Sequence, residues 1–287
     1  MRTFEDMKQI IEAMENSDYA IPAGIDLDGL IADMLSFVGA VDSDLREGIY
    51  STFDGLNDNE AFSHEQKRHI LMTALDKQHL FKGIDKSGTD DVFTRAFSAL
   101  VVCVVLFTYE DDPYLTDAEI ADVKNTILRY MDEEKDYRGY VADKGWAHAI
   151  AHGADMLMNI VFCVGREGVL ETLDTIANAV SNSHVAYGAA EDERLADAVI
   201  SAIYTSVCDR EIITANEICD WLKKVGSMAE RKAMPDDYNI NLNRKNFIKS
   251  LYVKAMLDVD DDFEDNKEVQ EQVCSTLLDI LREIYED

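Results

Sequence analysis

Two of the chain's six histidines fall in one stretch, Gly145-Trp146-Ala147-His148-Ala149-Ile150-Ala151-His152-Gly153-Ala154-Asp155. They stand four residues apart, and an aspartate follows three residues later. On a helix, imidazoles at i and i+4 can share one cation, and a carboxylate at i+7 lies one turn further along the same face. The same groups could line a pocket for a small organic or peptide ligand. They could equally form a satisfied polar network that fixes how one helix docks, because buried polar groups need hydrogen-bond partners whatever the function. The zinc-protease pattern His-Glu-x-x-His is not met, since Ala149 stands where its glutamate would be.

A helix from Gly145 would place His148, His152, Asp155 and Asn159 in one narrow stripe, at about 3.6 residues per turn. Trp146, Ile150, Leu157, Val161 and Val164 would lie opposite, and small or apolar residues would fill both flanks. No Lys, Arg or Glu occurs from Gly145 to Val164, although 29% of the chain is charged. An ordinary surface helix shows long charged side chains on its wet face. This helix is therefore expected to be enclosed on most sides. A buried Asp155 would need pairing, because desolvating an unpaired carboxylate costs several kcal/mol. His148, His152 and the nearby Arg138 are the expected partners. Asp143 reads as the helix N-cap.

Other candidate chemistry is thinner. Asp85-Lys86-Ser87-Gly88-Thr89-Asp90-Asp91 and Asp258-Val259-Asp260-Asp261-Asp262 resemble the front of a calcium loop, but both lack its glycine at the sixth place and glutamate at the twelfth. Ser98 has no flanking glycines, so it is not a nucleophile elbow. His64 and His69 sit on a charged helix and read as surface. There is no glycine-rich phosphate loop. No cofactor is expected, and a metal only through His148, His152 and Asp155.

The elements that must position these groups read as helices. Thr3/Asp6, Ser63/Gln66, Thr116/Glu119 and Thr214/Glu217 suit capping boxes, and apolar residues follow each at helical spacing. The predicted helices are 3–15, 26–39, 42–56, 63–79, 90–108, 116–132, 144–164, 166–181, 190–207, 214–228, 243–258 and 265–285. The apolar run Ala96 to Phe107 belongs to one of them as a buried helix. Short loops favour antiparallel neighbours. A rhythm of about forty residues per helix pair matches HEAT and armadillo arrays. The expected fold is thus all-α, a superhelical array of antiparallel helix pairs, in a single domain over residues 1–287. Tyr109–Tyr114 and Ala233–Asn241 read as loops, and a division near 230–242 is the alternative to a single domain.

Composition excludes several roles. The chain has 57 acidic residues against 27 Lys and Arg, a net charge of −30. Nucleic-acid binding relies on neutralising phosphates with Lys and Arg, so neither nucleic acid nor an anionic membrane surface is an expected partner. The acidic surface reads first as a source of solubility, and a basic protein or peptide is the partner it would favour. The longest apolar run is too short to span a bilayer. The N-terminus lacks the apolar core of a signal peptide. Five cysteines without a CxxC motif point to reduced thiols in a cytoplasm.

The chain resembles a bacterial family known as domain of unknown function 2785. The resemblance rests on "DSDLREGIY" at 42–50, "VFTRAFSAL" at 92–100, "EKDYRGYV" at 134–141 and "KGWAHAIAHGADML" at 144–157. It implies an all-helical, superhelical fold and brings no activity, catalytic residue or cofactor. It also implies that Arg95, Asp136, Arg138, Gly139, Trp146, His148, His152 and Asp155 belong to one shared pattern. Arginines donate only and carboxylates accept, so those residues can close a cluster that is either a girder or a pocket. "GWAHAIAHG" is also similar to the glycine-histidine stretches of lanthionine cyclases. Their zinc needs a Cys-His pair, and no Cys-His dipeptide occurs here. Two functional expectations follow. The preferred one is a non-catalytic helical-repeat binding or scaffold protein. The alternative is an enzyme or small-molecule sensor whose pocket is His148, His152, Asp155 and Arg138, with Asp136, Arg95 and Trp146 beside them.

Overall fold

A computed structural model describes residues 2–227, 233–258 and 263–286. Among them the chain is all-helical apart from one short hairpin. The helices are α1 (Phe4–Glu15), α2 (Leu27–Phe37), α3 (Ser43–Asp58), α4 (His64–Ala74), α5 (Asp91–Phe107), α6 (Asp117–Glu133), α7 (Ala149–Cys163), α8 (Arg166–Val180), α9 (Glu191–Ile203), α10 (Ala215–Gly226), α11 (Asp236–Leu257) and α12 (Lys267–Glu286). A π-helical segment, Tyr204–Asp209, follows α9. Strands β1 (Tyr140–Val141) and β2 (Gly145–Trp146) pair antiparallel between α6 and α7.

The start signals work as read. Thr3, Ser63 and Thr214 each close a reciprocal box with the residue three places on. Thr116 and Glu119 exchange the same two bonds. Each box satisfies backbone N–H groups that a helix start leaves orphaned.

Four boundaries differ from the sequence reading by more than two residues. The helix expected from Lys144 starts only at Ala149, because Gly145 and His148 hold φ of +81° and +50°, outside right-handed helix. The helix expected to reach residue 79 stops at Ala74. There the Asp76 carboxylate accepts the backbone N–H groups of Gln78 and His79, an alternative to helical bonding. The helix expected to reach residue 207 gives way to the π-helical segment, where Ser206 O accepts from both Ile212 and Ile213. Finally, α11 begins at Asp236 inside the expected loop Ala233–Asn241. The asparagines that mask helical periodicity near the start of α11 bond instead to the chain before α9: Asn239 to Ser183 O, and Asn243 to Tyr187 N, Asn182 O and Val185 O.

The chain divides into two compact units, Met1–Thr126 with Glu133–Met156, and Ile127–Asp132 with Leu157–Asp287. The division runs through α6 and α7, not near residues 230–242. In the first unit α1 packs on α3, α3 on α5, and α4 on both α2 and α5. In the second α9 packs on α8 and α11, and α12 on α10 and α11. Helix α5 carries the apolar run Ala96–Phe107, buried as expected at Ala96, Val101, Val102 and Val105, while Phe107 at its end is 75% exposed. No helix among the described residues is long and apolar enough to cross a membrane.

Two measurements test this account of the helix starts. Thr214→Ala is expected to lower unfolding free energy by about 1 kcal/mol in urea titrations, as loss of an N-cap does. The second is pH-dependent. The Arg166 guanidinium and the Thr214 N–H and hydroxyl hold the Glu217 carboxyl from 4.5 down to about 2. A carboxyl depressed in the folded state contributes stability in full above its unfolded value, and that stability is lost as pH falls toward its folded value. Wild-type melting temperature should therefore fall between about pH 4.5 and 2, and Glu217→Gln should flatten that slope. An unchanged slope would show that this cap is not what titrates.

Candidate functional site

The shared pattern converges on the segment between α6 and α7, within the first unit. Helix α5 presents Arg95 from its first turns, fully buried. Its guanidinium forks onto Glu134, Nε to Oε2 at 2.6 Å and Nη2 to Oε1 at 2.8 Å, with neither side chain exposed. Its third nitrogen donates to Lys82 O at 2.9 Å. Glu134 Oε1 also accepts the backbone N–H groups of Lys135 and Asp136. A planar fork on a carboxylate, with the remaining valences taken by backbone, is the geometry in which a buried pair offsets its desolvation.

Two residues on, the pattern repeats. Asp136, 1% exposed, accepts from Arg138 Nε at 2.8 Å and Nη2 at 2.6 Å, and from Gly88 N at 2.9 Å. Arg138 Nη2 also donates to Thr89 O at 2.6 Å. Burial pushes the Asp136 carboxyl up, but Arg138 and the Gly88 and Arg138 N–H groups together outweigh it and hold the group below its ordinary value. The acidic stretch Asp85–Asp91 is thus clamped through its backbone, while Asp90 takes Lys144 Nζ at 2.7 Å. The similar stretch from Asp258 falls on residues 259–262, outside the described ones.

Arg138 therefore serves Asp136 and not Asp155. Arg95 serves Glu134. Glu134 was missed although it opens the "EKDYRGYV" stretch; a buried arginine fork without a bidentate carboxylate was the available signal.

A second buried cation was also missed. Arg46 of α3 has no exposure, lies 4.3 and 4.7 Å from the ring centres of Phe93 and Phe97, and donates to Ala40 O at 2.6 Å and Lys144 O at 2.7 Å. It makes no ion pair among the described residues. Burial pushes its guanidinium below the ordinary arginine value, and aromatic faces with carbonyl oxygens carry the charge instead. Its signal was position: Arg46 sits between Leu45 and Ile49, core residues of the same helix.

Arg46 anchors the hairpin. The Lys144 carbonyl it holds precedes Gly145, where a side chain would meet Arg46 Nη2 and Ser43 Cβ at 3.1 Å. Asp143, expected as an N-cap, stands in the hairpin turn with φ +64°. Ala147 N and His148 N donate to Gly139 O and Arg138 O, which brings the chain to the start of α7.

The stripe itself is enclosed, as its composition implies. Every residue from Ala149 to Leu157 is buried, with His152 at 7% and Asp155 at 5%. His148 stands just before the helix rather than on it, and its carbonyl accepts the His152 N–H at 2.9 Å. His152 Nδ1 lies 3.1 Å from Ala96 O and so carries the proton in that bond. The rings form a file: Tyr140 on Trp146 at 5.3 Å, Trp146 stacked on His148 at 4.1 Å, His148 to His152 at 5.6 Å, and His152 to Phe97 at 5.6 Å. Trp146, expected opposite the histidines, is their neighbour, because β2 turns it back over His148. Asn159 continues the stripe in the part of α7 that belongs to the second unit, where it is buried.

Among the described residues no group of three or more His, Cys, Asp or Glu side chains could hold a metal ion. Clefts of about 440 and 400 Å³ lie elsewhere, one around Lys224 and Arg244, the other around Asp28 and His69.

The Arg95–Glu134 pair makes the sharpest prediction here. Arg95→Met or Glu134→Leu alone should cost about 3–5 kcal/mol, while the double variant should lose less than either single, because no unpaired buried charge remains. A double-mutant cycle in urea measures this; strictly additive losses would mean the pair is not coupled.

Comparison with known proteins places these residues in context. No curated protein and no solved structure matches the chain. The model of the family described as protein of unknown function (DUF2785) matches residues 80–253. The match takes in α5, the Glu134–Arg138 clamp, the hairpin and α7. It leaves out the 42–50 stretch and extends past residue 200, where no distinctive motif had been read. With more than half its length matched, the chain belongs to the DUF2785 family of proteins of unknown function.

Proposed function

We propose that the chain is a non-catalytic binding module, built of stacked antiparallel helix pairs of the HEAT or armadillo kind, that engages a basic protein or peptide in the cytoplasm. The observation that carries this reading is how the polar residues are spent. Arg95, Glu134, Asp136 and Arg138 satisfy one another and the backbone of residues 82–89. That is the work of a girder, which fixes a surface without touching a substrate.

The array is supported by packing within each unit, where helices meet the second helix along the chain: α1 on α3, α2 on α4 and α3 on α5, then α9 on α11 and α10 on α12. Stacks of that order build extended binding surfaces. A basic partner is supported by the net charge of −30, which steers cations toward the surface. The cytoplasmic setting is supported by five cysteines with no disulfide among the described residues.

Calorimetric titration of the full chain with an oligolysine peptide tests the reading. Saturable binding of one peptide per chain is expected, weakening as salt is raised past about 0.15 M, where the screening length is about 8 Å. Absence of binding at low salt, or unsaturable coating of the chain by peptide, would refute it.

A further inference from the structure

Resting on that reading, we propose that the β1–β2 hairpin is where the basic partner docks, and that Tyr140 and Trp146 receive one of its lysine or arginine side chains. The two rings meet edge to face across the hairpin at the paired positions of its register. They are 65% and 43% exposed and stand at 80° to one another. Aromatic faces attract ammonium and guanidinium groups, Trp most strongly.

Exposed aromatics are usually mobile, but these are held. Trp146 lies flat on His148, with the ring planes 26° apart. The backbone beneath it is pinned by Arg46 through Lys144 O and by Ala147 N on Gly139 O. A ring fixed before binding loses little freedom when a ligand arrives.

The surrounding charge selects a cation. Glu47 is exposed, and its carboxylate would lie 3.6 Å from a side chain at Gly145, the residue next to Trp146. Asp143 is exposed in the hairpin turn. The one lysine of the hairpin, Lys144, is occupied by Asp90. The hairpin thus combines two exposed aromatic rings with the Asp143 carboxylate in its turn and the Glu47 carboxylate of α3 beside it, the latter also acting on the Arg46 guanidinium.

The test compares the full-length wild type with Trp146→Ala, Tyr140→Ala and Glu47→Gln in titrations with oligolysine, oligoarginine and a neutral glycine-serine peptide. Each variant is expected to weaken oligolysine and oligoarginine binding about three- to tenfold, with the neutral peptide unbound throughout. Tyr140 is the more exposed of the two rings, so Tyr140→Ala keeps the test decisive if Trp146→Ala fails to fold. Variants that melt like wild type yet bind the basic peptides as tightly would overturn the hairpin site while leaving the basic-partner reading intact. A wild type that binds neither basic peptide would overturn both.

Discussion

The first unit depends on a charge that cannot reach water. Arg95 lies on α5 with no exposed surface, and the Glu134 carboxylate answers it in a two-pronged fork. In a low-dielectric interior an unanswered guanidinium would be costly enough to drive the segment apart. The fork therefore dictates where the chain leaves α6, since Glu134 immediately follows that helix. From there Asp136 and Arg138 draw in residues 88–89, and the chain is delivered to the hairpin and then to α7. Arg46 does comparable work from α3 with its hydrogen bonds going to carbonyl oxygens and its charge resting on ring faces. Two buried cations thus order a stretch that has almost no regular secondary structure of its own.

Much of this architecture was legible in the residues. The capping boxes and the apolar spacing placed nearly every helix, because both are local signals that the folded chain retains. The enclosure of α7 was legible from what it lacks, namely any Lys, Arg or Glu. The hairpin was hidden, because two-residue strands have no periodicity to read and the left-handed backbone at His148 leaves no mark in the residue type. The start of α11 was hidden for another reason. Its first residues lie in a stretch without helical pattern, yet Asn239 and Asn243 spend their amides on distant carbonyls and so leave the helix undisturbed.

The sequence reading drew the residues around the two histidines into one candidate cluster. The structure separates it into a charged clamp at Glu134–Arg138 and a file of rings from Tyr140 to Phe97. Sequence proximity joined the two, since His148 follows Arg138 by ten positions. Their chemistry divides them, since each arginine is claimed by the nearest carboxylate with fork geometry while the imidazoles pack among aromatic rings.

The tight seat of Gly145 has an evolutionary corollary. Surface hairpins are ordinarily where related chains differ in length, because an extra residue is absorbed by solvent. Here the turn is short and the residue that closes it is wedged beneath a guanidinium from another helix. An inserted or deleted residue would shift the pairing by one place and turn each ring to the opposite face. Length at residues 140–146 should accordingly be under stricter selection than the identity of the exposed residues in the turn, an inversion of what loops normally show.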